Sequence, residues 1–168
     1  LTYVNPEYGF SLQYPPTWTA KEVNNEAFIA PGSRSVQLSR GTATLVIGYR
    51  RAGEDTIIGG GAPAGDFESR GTIFIGDNHV PRRALVFEGK DKAVFYGGPG
   101  FLGAGGKVFA IRLEDFAQDD YRDIELSQEV QDEADLILSS LEVFCRDANS
   151  LSDYETVDNA EVVQNEVK

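Results

Sequence analysis

The chain has 168 residues, 27 of them acidic and 15 basic, for a net charge of −12 with its one histidine neutral. That balance excludes a general nucleic-acid binder, which needs a basic face, and an electrostatic anchor on acidic lipid. One cysteine excludes an internal disulfide and a cysteine zinc cluster, and one histidine excludes a multi-histidine metal site. With no methionine, the chain is expected to be a processed or truncated piece. It holds no run of 18 apolar residues, so no helical membrane span is expected.

Strand signals dominate. Over residues 8–14, Phe10, Leu12 and Tyr14 alternate with Ser11 and Gln13, the period of a half-buried strand. Pro15 and Pro16 end it, and Trp18 is expected to pack back onto the sheet. Residues 36–38 and 42–49 flank Arg40-Gly41 as a hairpin, and residues 71–75 and 80–87 flank a second turn-rich junction. Residues 93–96 and 107–113 read as strands around a glycine-rich loop at 97–106. Short connections between consecutive strands predict an antiparallel meander. The expected core is Phe10, Leu12, Tyr14, Trp18, Leu45, Ile47, Ile73, Ile75, Leu85, Phe87, Val94, Phe109, Ile111, Ile137, Leu138 and Leu141.

One helix is predicted from about Ser127 to Leu141. Val130, Ala134, Ile137, Leu138 and Leu141 share a face, Ser127 caps the start, and Glu129, Asp132 and Glu133 sit near the positive end of the dipole. Gln128, Gln131, Asp132 and Asp135 are expected to face water. Residues 142–144 then resume as a short strand. The reading divides the chain into a body, 1–145, and an acidic tail, 146–168, in which a Ser152-x-x-Glu155 capping box signals a short helix.

Few motifs carry chemistry. Gly98-Pro99-Gly100-Phe101-Leu102-Gly103 fits G-x-G-x-x-G, but a strand follows where a dinucleotide site needs a helix N-terminus. It reads as a hairpin loop, with Phe101 and Leu102 as candidate docking residues. Asp115, Asp119, Asp120 and Asp123 are the best candidates for a divalent cation such as calcium, since hard cations need several converging oxygens. Their spacing is not that of an EF-hand, so the expectation is a weak site at most. His79 is the only conventional base near neutral pH, and no G-x-S-x-G elbow accompanies it. Cys145, after Val143 and Phe144, reads as a buried apolar residue rather than a nucleophile. Arg82 and Arg83 are adjacent on a strand and so point to opposite faces; one is expected to reach a carboxylate, and both are candidate anion-binding residues. No cofactor is expected.

Two segments resemble a known family. Tyr-Val-Asn-Pro-Glu-Tyr-Gly-Phe-Ser-Leu-Gln-Tyr-Pro at 3–15, with Trp18 three beyond, is similar to the opening of PsbP-like domains. Ala-Asp-Leu-Ile-Leu-Ser-Ser-Leu-Glu-Val-Phe at 134–144 resembles their closing helix and strand. The family includes the extrinsic PsbP protein of photosystem II and bacterial exported lipoproteins. The resemblance implies an α+β fold, an antiparallel sheet flanked by helices in an α/β/α sandwich. It also implies a place outside the cytoplasm, with a lipid tether upstream of residue 1. No residue here matches that family's metal or photosystem residues. The function expected is a non-catalytic extracytoplasmic binding or scaffold domain with an unidentified protein or small-molecule partner. The alternatives are a metal-responsive module using the 115–123 aspartates and a hydrolase using His79.

Overall fold

A computed structural model describes residues 1–24, 34–51, 66–97, 102–104, 107–115 and 125–144. Among these described residues, eleven strands and one helix follow in chain order. They are β1 (Thr2–Asn5), β2 (Phe10–Gln13), β3 (Thr19–Asn24), β4 (Arg34–Arg40), β5 (Ala43–Arg51), β6 (Asp66–Ile75), β7 (Asn78–Phe87), β8 (Lys90–Tyr96), β9 (Leu102–Ala104), β10 (Lys107–Asp115), α1 (Gln128–Ser139) and β11 (Glu142–Val143).

All pairings are antiparallel. A small sheet has the order β1-β2-β11, and a large one the order β3-β4-β5-β10-β8-β7-β6, with β9 paired to β10. The large sheet is not a simple meander, because β10 enters between β5 and β8. The expected α/β/α sandwich is wrong. Among the described residues one helix packs on one face, and two antiparallel sheets make up the rest. The physical reason lies in the described strands, whose period-two patterning pairs them side by side, with β4–β5, β6–β7 and β7–β8 joined by two-residue turns too short to hold a helix.

The inner face of the large sheet carries the core. Val36, Leu38, Leu45, Ile47, Val94, Tyr96, Phe109, Ile111 and Leu113 are buried there. The small sheet covers one part of it through aromatic edges: Phe10 lies 5.0 Å from Tyr49 and 5.4 Å from Phe109 between ring centroids, both T-shaped. Helix α1 covers another part, burying Ala134, Ile137 and Leu138. Its Ser127 Oγ accepts from the Val130 N–H, as a cap should. At the far end the Gln13 N–H donates to Ser140 Oγ at 2.8 Å, and the Phe144 N–H donates to Gly9 O at 2.8 Å. The two segments that carry the family resemblance are thus hydrogen-bonded to each other.

The sequence-based core needs three changes. Phe87 is exposed, Ile73 is only partly buried, and Leu85, though buried, points to the outer face and lies outside the core cluster. On β7 the inward positions are Val80, Arg82, Ala84 and Val86, so Phe87 is out of phase and sits at the hairpin end. Near it the β7–β8 register shifts between Leu85 and Val86, with Lys92 as the extra, buried residue of the bulge.

Trp18 is 1% exposed and its Nε1 donates to Glu133 Oε2 at 2.6 Å. Trp18→Ala should therefore lower the unfolding free energy by about 3–5 kcal/mol, read from a urea melt; an unchanged midpoint would contradict this packing. The β7–β8 turn offers an opposite test. Glu88 and Gly89 both have positive φ, 53° and 72°, the geometry of a type I′ turn that favours Asn-Gly. Glu88→Asn should stabilise the fold by about 0.5–1 kcal/mol, and a fall in Tm would show that the glutamate makes a compensating contact.

Candidate functional site

The ionisable side chains divide between the two faces of the large sheet. On the inner face, three polar residues of α1 meet partners from distant strands. Glu133 takes Arg40 Nη1 at 2.8 Å as well as the Trp18 indole. Asp135 is in direct contact with Arg82 and accepts from the Tyr96 hydroxyl at 3.0 Å. Gln131 donates to Asp91 Oδ2 at 3.2 Å and to Leu126 O at 3.1 Å. Asp91 also receives Arg70 through two nitrogens, Nε at 3.1 Å and Nη2 at 2.6 Å, a bidentate fork.

A bulge makes this seam possible. The β6–β7 register shifts between Ser69 and Thr72, where Gly71 has φ +77°. The turned backbone presents the Arg70 carbonyl to the Arg82 guanidinium and aims the Arg70 side chain at Asp91. Burial, with Asp135 beside it, pushes the Tyr96 hydroxyl well above its usual range, so it stays a donor. These groups hold the helix to the sheet. Gln131 and Asp135, expected to face water, are instead buried and half-buried; partners from β7 and β8 offset their desolvation. Leu136 takes an outward position, 69% exposed.

The outer face has a different character. Register places Lys21, Gln37, Val46, Arg112, Phe95 and Arg83 in one row across β3, β4, β5, β10, β8 and β7. Arg112 and Arg83 flank Phe95 on either side. Arg83 is exposed, with its guanidinium 5.7 Å above the Phe67 ring, and Phe67 meets Phe95 edge-on at 5.7 Å. Arg83 has no carboxylate partner among the described residues. Arg112 Nε stands 3.2 Å from Glu114 Oε1 but off the line of its N–H, so that pair is an ion contact and not a hydrogen bond. Burial pushes the Glu114 carboxyl up, against the pull of Arg112. Along β7 the same face continues through Pro81 to His79, whose ring lies 4.4 Å from that of Phe74, 60% exposed.

The residues singled out from sequence therefore separate. Arg82 points inward to Asp135, and Arg83 and His79 lie on the outer face. Asp115 accepts from Thr42 Oγ1 at 3.0 Å. Asp119, Asp120, Asp123, Phe101 and the side chain of Leu102 lie outside the described residues, as do Cys145 and the tail. No cluster of three or more metal-ligating side chains occurs among the described residues, and no described helix is long and apolar enough to cross a membrane. Phe67, Phe95 and Arg112 were missed from sequence. Alternation puts Phe95 and Arg112 opposite the apolar positions of their strands, but only the cross-strand register sets them beside Arg83. A separate open hollow of about 330 Å³ lies between the small sheet and α1, with Leu1, Tyr14, Pro15 and Leu136 on its walls.

No family model, no curated protein and no solved structure matches the chain.

Asp91 gives a pH test of the seam. Its hydrogen bonds from Arg70 hold its carboxyl below the usual range. A carboxyl depressed on folding adds stability above its unfolded value of about 3.9 and loses it as pH falls through the folded value. The stability gap between the wild type and Asp91→Asn should be level from about pH 7 to 5 and shrink below about pH 4. A gap unchanged at about pH 2 would show that the asparagine loses packing rather than charge.

Proposed function

We propose that this chain is a non-catalytic extracytoplasmic domain that binds or scaffolds a partner through the outer face of its large sheet. The observation that carries the reading is the division of charge. Arg40, Arg70 and Arg82 each close on carboxylates that fix α1 to the inner face, and groups so engaged are not available for acid–base chemistry. Arg83 stands outward on an aromatic ring, with Phe95 and Arg112 beside it, which is the composition of binding surfaces. The extracytoplasmic placement is supported by the PsbP-like character of residues 3–15 and 134–144.

His79 offers the sharpest test of the non-catalytic part. It sits exposed at a hairpin end against Phe74. Hydrolysis of p-nitrophenyl acetate and p-nitrophenyl phosphate by the purified chain should equal that by His79→Ala. Turnover that disappears in His79→Ala would make the protein a hydrolase and overturn this reading.

A further inference from the structure

Resting on that binding reading, we propose that the outer face takes an acidic, extended peptide of a protein partner. Two carboxylates three residues apart seat on Arg83 and Arg112, with the peptide lying across the Phe95 ring.

The spacing comes from the register. Arg83 and Arg112 are both opposite Phe95, one on each neighbouring strand, so their Cα atoms are two strand spacings apart, about 10 Å. A peptide in the polyproline II conformation repeats a face every third residue, about 9 Å along its axis. Glutamates at i and i+3 therefore match the two guanidiniums, and the residues between them meet the phenylalanine. Arginine forks suit carboxylates, and aromatic surfaces suit polyproline segments because the ligand is already extended. Pro81, His79 and Phe74 prolong the exposed face beyond Arg83 and give the flanking residues an apolar rest.

Charge selects the peptide over a nucleic acid. The whole chain carries −12, which repels a long polyanion, whereas a short ligand on this face senses mainly charges within the Debye length of about 8 Å. Locally Arg83 and Arg112 outweigh Glu114. Arg83 is exposed and Phe95 and Arg112 are half-buried, whereas Ser35, Thr44, Val46 and Leu85 on the same face are buried, so the site is the Arg83–Phe95–Arg112 end of the row.

The test is fluorescence anisotropy with a labelled peptide of four Glu-Pro-Pro repeats at low salt. Saturable binding is expected that weakens as salt rises, falls about tenfold in Arg83→Ala, falls also in Arg112→Gln, and is unchanged in Lys90→Ala at the β7–β8 turn. Arg83 is exposed, so Arg83→Ala decides the matter even where Arg112→Gln fails to fold. Four results would each overturn the proposal: no saturable binding below about 1 mM, equal binding of the neutral Gln-Pro-Pro repeat, binding unaffected by Arg83→Ala, or equal or tighter binding of an oligothymidylate of the same charge. The last would assign the face to single-stranded nucleic acid. None of these results bears on turnover, so the binding-domain reading stands or falls separately.

Discussion

Helix α1 lies on the large sheet because the Arg82–Asp135 contact and its neighbours let it. A helix of 12 residues is marginal by itself in water, so its stability must come from packing. Its apolar stripe of Ala134, Ile137 and Leu138 supplies part of that. The stripe is flanked by Gln131, Glu133 and Asp135, and burying these without partners would cost more than the stripe gains. Arg82 and Tyr96 receive Asp135, Arg40 and Trp18 receive Glu133, and Asp91 receives Gln131. Once the helix is seated, Ser140 meets Gln13 and the chain runs directly into β11, which completes the small sheet on β2. The covering of the inner face therefore depends on this polar seam as well as on apolar burial.

The same alternation that aims Arg82 inward aims Arg83 outward. Two adjacent arginines on one strand thus belong to different physical problems, one neutralised within the fold and one standing on an aromatic ring. This is how a chain of strongly negative net charge comes to carry a local cationic row. Net charge describes long-range attraction and repulsion, while contact is decided by the face presented. The outer row is also built on rigid elements, the middle and far strands of a sheet, which holds its side chains in register better than a loop would.

Much of the fold was legible because its signals are local. Period two in residues 10–14, 36–49 and 107–113 marks β2, β4, β5 and β10, and Ser127 with the 130–141 apolar spacing marks α1. The short strands β1, β3 and β9 carry no such run; they are strands because neighbours pair with them. The helix face was misread for a related reason. Gln131 and Asp135 look solvent-facing until Asp91, Arg82 and Tyr96, 39–53 residues earlier, are brought beneath them. Phe87 looked buried because Leu85 and Phe87 alternate as regularly as Ala84 and Val86 do, and alternation alone does not say which set faces the core. The α/β/α expectation came from resemblance at the two ends, and those ends do fold together; the described residues of the middle build a large sheet and no helix. The outer row was half legible: Arg83 and His79 stood out as residues, but Phe95 and Arg112 join them only through pairing between strands.

The central claim is that neighbouring charges on β7 serve different ends, structure on one face and recognition on the other. Urea unfolding of Arg82→Ala and Arg83→Ala tests it most directly. Arg82→Ala leaves Asp135 half-buried without its guanidinium and should cost about 2–4 kcal/mol, while Arg83→Ala should change stability by no more than about 0.5 kcal/mol. Equal losses in the two variants, or a larger loss in Arg83→Ala, would contradict the account.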